Sequence, residues 1–359
     1  MYKKVKQNFI LKGAAEAVKL RMRDIAQRAG VSPATVSNAL NGRGGVSKAV
    51  QEQILAIARE MGYQPSRESR RIGQHVRLII YKSHGMVVGD TAFFAELTES
   101  IQLECRRVGL ELLISHLHAR EDADCAEQIR FFAAEDCAGI ILLGTEMSRE
   151  ELHQFDHFHS PLVVLDSLFR YENVHSVVIN NMQAGHLAAQ ALCEAGHRSI
   201  GHITSSIAFN NMDDRLQGFR DGLARYGLTL PEEQIWPVRP SIPGAYEDMK
   251  QLIAQRGALP EAFFAGNDLM AVGCMRAITE AGYRIPEDVS IIGMDDTSVC
   301  LACTPQLSTI HVYKKEMGFY VVQTLRSLKD SSTPYAIKAE IGVSVVLRDS
   351  IRRKASSAH

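Results

Sequence analysis

The 359-residue chain is short of the features that mark a membrane-bound, secreted or catalytic protein. It has no run of about 18 apolar residues, so no membrane-spanning helix is expected. Its opening, MYKKVKQNFILKGAAEAVKL, is basic but holds an apolar run of only Phe9, Ile10 and Leu11. That is too short for the core of a secretory leader. The seven cysteines are scattered, and the lone CxxC at Cys300 and Cys303 has no second pair. Packed, reduced thiols are expected rather than disulfides or zinc, and with them a cytoplasmic location. GxSxG, HExxH and GxxxxGK[ST] are absent, so no enzyme and no cofactor are expected. The cluster HQFDHFH, with His153, His157, His159 and Asp156, reads as surface histidines rather than a metal site.

Charge is present in balance but not evenly spread. Residues 1–72 hold 14 Lys and Arg against 5 Asp and Glu, whereas residues 73–359 hold 26 against 36. A small basic head on a large acidic body is the footprint of a nucleic-acid-binding module joined to another domain.

Within the head, RMRDIAQRAGVSPATVSNALNG has the spacing of two helices and a tight turn. Ile25, Ala26 and Ala29 give the first helix one apolar face. Gly30 falls where the turn needs a positive φ. Ser32 can cap the second helix, Pro33 suits its first position, and Asn41-Gly42 can end it. Only Val36 and Leu40 in that helix look suited to burial. A third helix, capped by Ser47, carries Val50, Ile54, Ile57, Ala58 and Met61 on one stripe before Gly62. In such a motif the second helix enters the DNA major groove. Its small side chains then make sense. Ala34 permits close approach to a thymine methyl, and Asn38 can pair with an adenine edge. Ser32, Thr35 and Ser37 suit phosphate oxygens. The alternative is a small helical bundle with a polar face.

Beyond it, GYQPSRESRRIGQHVRLII crowds Arg67, Arg70 and Arg71 beside Ile72, a composition that suits either a minor-groove wedge or a charged linker. From residue 76, short apolar runs (VRLIIY, LELLIS, GIILL, PLVVLD, SVVI, SIGHI, AFFAG, VSIIGM) alternate with amphipathic segments at 92–108, 123–134, 181–195, 213–226, 244–256, 268–281 and 315–328. That alternation implies parallel sheets covered by helices. Ligands in such sheets bind beyond the carboxyl ends of strands. Asp166 ends PLVVLD, Asn267 follows AFFAG, Asp295 and Asp296 end VSIIGM, and Arg215 follows a polar loop. These groups suit a sugar or similar polar ring. Asn267 or Asp268 can equally serve only to cap the next helix, and Asp296 reads as a loop cap.

MRDIAQRAGVSPATVSNALNGRGGVSKAVQEQILAIAREMGYQPS resembles the DNA-binding head of the lactose-repressor/galactose-repressor family of bacterial transcription regulators. FFAEL, AGIILL, GHRSIGHI, RLQGF, AGNDLMAVG, IPEDVSIIGMDD and LRDS resemble that family's effector-binding core, in the same order. The resemblance covers Met22 to Ile351. It implies an all-α helix-turn-helix head plus an α/β core of two doubly wound parallel-sheet subdomains, like periplasmic binding proteins of type I, with the chain crossing between them three times.

The implied organisation is an N-terminal extension at 1–21, a helix-turn-helix domain at 22–64, a hinge helix at 65–75, an effector-binding and dimerisation core at 76–351 and a tail at 352–359. By resemblance, Pro33, Ala34 and Asn38 read the operator, and Ser69, Arg70 and Ile72 stand where the family has Ala, Arg and Leu in its hinge. Phe93 and Phe94 provide an apolar wall, one of them being core. Arg215, Asn267 and Asp295 provide polar anchors, joined by Asp90, Asn211 and Asp166. In WPVRPSIPGAY, where the family carries an aromatic anchor, Trp236 lies a few residues early and Arg239 nearer. The implied partners are a near-palindromic double-stranded operator, a second copy of the chain, and a small effector of the sugar class, with no membrane. No leucine heptad in the tail suggests a tetramer. A transporter's solute-binding protein and an α/β sugar-modifying enzyme are the competing classes. The basic head opposes the first, and the missing catalytic constellation opposes the second.

Overall fold

A computed structural model describes residues 22–40, 47–61, 73–89, 92–120, 122–328 and 335–354, with the side chains of Met22, Ala34, Ser37, Leu40 and Arg59 outside that description. The expectations placed on residues 1–21, on the Asn41-Gly42 stop, on Gly62, on the hinge residues Ser69, Arg70 and Ile72, and on Asp90 fall outside the described residues. Chain contacts divide the molecule between Ile72 and Gly73 into two compact units.

The first unit holds three helices: α1 (Met22–Ala29), α2 (Pro33–Leu40) and α3 (Lys48–Glu60). Ile25, Ala26, Val36, Ala39, Ile54 and Ala58 are buried together, with Val50, Ile57 and Met61 packed around them. Gly30 takes a φ of 65° between α1 and α2, a conformation a Cβ would penalise. Ser32 Oγ accepts from Thr35 N–H at 3.1 Å, and Ser47 Oγ from Val50 N–H at 3.4 Å, so both expected caps are present. Ala39, one turn after Val36, also turns inward, and Gln51 of α3 donates to its carbonyl at 3.2 Å.

The second unit is an α/β core of two halves. The first contains β1 (His75–Lys82), α4 (Ala92–Arg107), β2 (Glu111–His118), α5 (Cys125–Ala133), β3 (Gly139–Leu143), α6 (Arg149–Leu152), β4 (Leu162–Leu165) and β5 (His175–Ile179). The second contains α7 (Asn181–Glu194), β6 (Ile200–Ser205), α8 (Asn210–Ala224), β7 (Ile235–Val238), α9 (Ile242–Arg256), β8 (Ala262–Ala265), α10 (Asp268–Glu280), β9 (Ser290–Asp295), α11 (Val299–Ala302) and β10 (Ser308–Val312). The chain then returns through α12 (Lys314–Leu328) and β11 (Lys338–Ile341) to the first half, and ends on β12 (Val343–Val346) in the second.

The sheet orders are β2-β1-β3-β4-β5-β11 and β7-β6-β8-β9-β10-β12. Neighbours are parallel except for β12, which runs antiparallel to β10. Central strands β3 and β8 are buried along their whole length, as parallel strands covered on both faces must be. Pro237 is tolerated in β7 because that strand lies at a sheet edge.

Three crossings join the halves, after β5, after β10 and between β11 and β12. Two are stitched side by side: Asn180 N–H donates to Ile341 O at 2.8 Å, and Val343 N–H to Gln183 Oε1 at 3.0 Å. Near the end of the core, Ser350 Oγ donates to Ile291 O at 2.6 Å and accepts from Ser308 N–H at 2.8 Å. All seven cysteines are free and none is fully exposed. No helix among the described residues is long and apolar enough to cross a membrane.

Candidate functional site

Two surfaces concern function. On the head, α2 directs Val36 and Ala39 into the core, leaving Pro33 exposed and Thr35 and Asn38 half-buried. Ser32 Oγ lies 2.8 Å from Thr35 Oγ1 as well as capping the helix, so the two hydroxyls steady one another at its start. Ala34 and Ser37 belong to the same helix.

In the core, a cleft opens between the two halves at the carboxyl ends of their strands. It is lined by Phe93, Phe94, Asp166, Asn211, Arg215, Asn267 and Asp295. These are seven of the eight residues expected there, and the eighth, Asp90, is outside the described set. The local backbone is unusual at this place. Asp166, Asp295 and Asp296 have φ values of 61°, 113° and 50°, and no other non-glycine residue among those described is left-handed. Such conformations cost energy and persist where packing holds them. Asp166 and Asp295 follow or end β4 and β9, strands in equivalent places in the two sheets.

Arg215 is buried through a glycine-mediated helix crossing. A Cβ on Gly185 of α7 would lie 2.0 Å from Arg215 O, and one on Gly218 of α8 2.0 Å from Met182 O. This close approach lets Arg215 Nε donate to Asn181 Oδ1 at 2.8 Å, while Nη1 donates to Gly266 O at 2.5 Å. Asp166 accepts from Thr145 Oγ1 at 2.8 Å and from Asn211 Nδ2 at 3.3 Å. Burial lifts its carboxyl to about 6, against the pull of Thr145, Arg215 and Asn211. Burial also pushes the Asp295 carboxyl up, opposed by Arg215 and reinforced by Asp268.

Asn267 Oδ1 caps α10 through Met270 N–H at 2.8 Å, so the capping role and the place in the cleft coexist. Asp268 is no cap. It is 1% exposed and accepts from Thr309 Oγ1 at 2.6 Å and from Thr297 N–H at 2.9 Å. Phe93 is buried core and wall at once, set edge-on to Phe94 at 5.1 Å.

Two further expectations are corrected. Asp296 caps no loop: it accepts from Arg348 Nη2 at 2.6 Å and pairs with His311 Nδ1 at 2.8 Å. Arg239 is held outside the cleft by Asp248, at 2.7 Å, and Pro240 is the lining residue of that segment. Trp236, too early in the segment for the anchor role, stays out of the cleft, buried in β7 under Arg256, whose guanidinium lies 4.7 Å from its ring. Elsewhere His153 pairs with Asp156 at 3.1 Å, and no metal-binding group of His, Cys, Asp and Glu occurs among the described residues.

Residues 21–66 match the family model "Bacterial regulatory proteins, lacI family", and residues 189–351 match "Periplasmic binding protein-like domain". The HTH-type transcriptional repressor PurR of Haemophilus influenzae is 30% identical over 339 residues, covering 92% of this chain and 98% of its own. The chain belongs to the LacI family. The ribose operon repressor of Haemophilus influenzae is 32% identical over 334 residues, again covering 92% and 98%. Among solved structures, a sugar-binding LacI-family regulator from Escherichia coli complexed with phosphate is 28% identical, with a TM-score of 0.64 over 78% of this chain and 99% of that one. The lac repressor dimer bound to operator and an anti-inducer has a TM-score of 0.71 over 93% and 99%, at 23% identity, and so supports the fold.

As a LacI-family protein the chain is a DNA-binding transcriptional regulator with a ligand-binding core. Sequence reasoning missed the cleft residues Thr145, Phe209 and Pro240 and the groups that support the cleft from behind. Chief among these is Glu146, whose carboxylate accepts from the N–H groups of His84, Gly85, Val87 and Val88 at 2.7–3.0 Å. It thereby fixes the loop that carries Val87 to the cleft. Burial lifts its carboxyl, but the four donors outweigh that and leave it below the usual range.

Proposed function

We propose that the protein is a cytoplasmic, non-catalytic repressor that binds a near-palindromic operator as a homodimer and is controlled by a small ligand of the sugar class. The observation that carries this reading is the cleft: two matched sheets present Phe93, Phe94, Asp166, Asn211, Arg215, Asn267 and Asp295 to one space. Arg215 Nη2, Asn267 Nδ2 and the Asp295 carboxylate offer donors beside an acceptor, the pattern that vicinal hydroxyls satisfy. The α2 residues Ser32, Pro33, Ala34, Thr35, Ser37 and Asn38 are assigned to DNA, with Asn38 reading a base and the hydroxyls positioning on phosphates. Ser69, Arg70 and Ile72 are assigned to the hinge contact with the minor groove. The family relatives named as repressors support the repressor role, and the dimer in the neighbouring lac repressor structure supports pairing of two heads on two half-sites.

A ligand controls DNA binding only by preferring one arrangement of the core halves, by roughly 1–3 kcal/mol for a useful switch. A gel-shift titration with DNA from the protein's own locus tests the reading. Specific retention is expected, and Asn38→Ala should relax preference at one base position by about 1–3 kcal/mol. Absence of retention at low salt, with and without sugars, sugar phosphates and nucleobases, contradicts it.

A further inference from the structure

We propose that the cleft selects an uncharged, hydroxyl-rich ligand and rejects its phosphorylated or carboxylated counterpart, because its described lining sets three carboxyl groups against one cation, Arg215, whose Nε and Nη1 are already engaged. This rests on the effector reading of the cleft. Three carboxyl groups, Asp166, Asp268 and Asp295, line the space against one basic side chain, Arg215. Arg215 is directed inward, with Nε on Asn181 and Nη1 on the carbonyl of Gly266.

The other nearby cations are turned elsewhere. Lys314, 5% exposed, gives its ammonium to Asp295 O at 2.8 Å, Asp296 O at 3.3 Å and Glu96 Oε2 at 3.1 Å. Arg239 is held by Asp248 and Arg170 by Asp214. The N-terminus of α10, which could attract an anion, is already capped by Asn267 and carries the buried Asp268 in its first turn. Among the described residues no group hydrogen-bonds the Asp295 carboxyl, so its oxygens are left to the ligand. The residues between Gly89 and Ala92 are Asp90 and Thr91, neither of them basic.

Burial raises the Asp166 carboxyl, and burial with the neighbouring Asp268 and Asp166 raises that of Asp295, so the space resists further negative charge. A phosphate would add roughly −1.5 to −2 charges to such a space, where among the described residues the one lining cation, Arg215, already has Nε and Nη1 engaged. A hydroxyl, donor and acceptor at once, satisfies Asp295 and Arg215 without adding charge.

Isothermal titration of the full chain at pH 7.5 with matched pairs tests this: ribose and ribose 5-phosphate, glucose and glucose 6-phosphate, galactose and galactose 1-phosphate. In the pair that binds, the neutral member should bind at least about tenfold more tightly. Asp295→Asn should narrow that ratio by removing one ionisable carboxyl, with its melting transition checked so that loss of fold is not mistaken for loss of selectivity. A phosphorylated member binding as tightly as its neutral partner, or more tightly, overturns the charge inference and leaves the effector reading standing. Silence across every pair in a protein that still binds its DNA overturns the sugar-effector reading and this inference with it.

Discussion

The two halves of the core share a strand order but meet the cleft with different chemistry. The first half brings Val87, Ala92, Phe93 and Phe94, with Thr145 and Asp166 as its polar groups. The second brings Asn211, Arg215, Asn267, Asp268 and Asp295. Equivalent strand ends, β4 and β9, each lead into a left-handed Asp. The fold therefore sets where the cleft lies, and the residues beyond the strand ends set its chemistry. The first half gives it mostly apolar surface, and the second gives it most of its polar groups.

Both halves also use glycine to bring a helix pair together, and this is where they can be separated most sharply. In the second half, a Cβ on Gly185 would meet the backbone oxygen of Arg215 at 2.0 Å. In the first, a Cβ on Gly318 of α12 would meet the Ser100 hydroxyl of α4 at 2.2 Å. The hydroxyl can rotate away, leaving Ser100 Cβ at 2.7 Å and Ile101 N at 2.9 Å, a milder clash than that of Gly185 with the backbone at Arg215 O and Phe219 N. Gly185→Ala should cost about 2–3 kcal/mol by overpacking, and Gly318→Ala less, as denaturant titration of both will read. Equal losses would mean that the two crossings are equally rigid.

Acid provides the next contrast. His202 of β6 is buried between Phe219 and Phe264, with Nδ1 3.0 Å from Phe264 O. Burial lowers its pKa to about 4, so the folded state resists protonation that the unfolded chain accepts near 6.5. Its contribution is present above about pH 6.5 and is lost as pH falls towards 4, amounting to about 3 kcal/mol. Asp166 of the first half has the opposite sign. Its pKa is raised to about 6, so its contribution is present below about pH 4 and lost as pH rises through 6. Stability curves from pH 4 to 7 for His202→Phe should lack the acid loss, and those for Asp166→Asn should lack the fall towards neutral pH. Curves parallel to wild type would refute both assignments.

The smallest effect concerns the ties between the halves. Arg170 donates to Asp214 at 2.7 and 2.8 Å, and Asn211 Nδ2 to Asp166 O at 3.0 Å. Arg170 is 45% exposed, so Arg170→Ala should change unfolding free energy by less than about 1 kcal/mol. Any larger consequence should appear in ligand affinity, by calorimetry, because the tie joins the two halves.

Most strands were legible in the sequence because buried parallel strands are continuous apolar runs, as GIILL and AFFAG are. β7 was not, since Pro237 reads as loop and only its edge position allows it. β10 opens on Ser308 and Thr309, whose hydroxyls belong to long-range bonds with Arg348 and Asp268. Asp166, Asn267 and Asp295 were legible because each ends or follows a strand, whereas Phe93, Phe94 and Asn211, inside α4 and α8, came with the family resemblance. Their supports were not: Glu146 holds Val87 across 59 residues, and Asp268 holds Thr309 across 41. Lys314, in the run YKKEM, reads as exposed charge, and only tertiary packing buries it.

The central claim is that the cleft governs the grip of the head on DNA. Its most direct test is operator affinity measured by fluorescence anisotropy, with and without the ligand found by calorimetry, in wild type and in Arg215→Lys. Wild type should change its operator affinity by roughly 5–150-fold on ligand addition, while the variant, unable to make the paired contacts to Asn181 and Gly266, keeps DNA binding and loses the response. A wild-type operator affinity unmoved by a ligand that demonstrably fills the cleft would contradict the account.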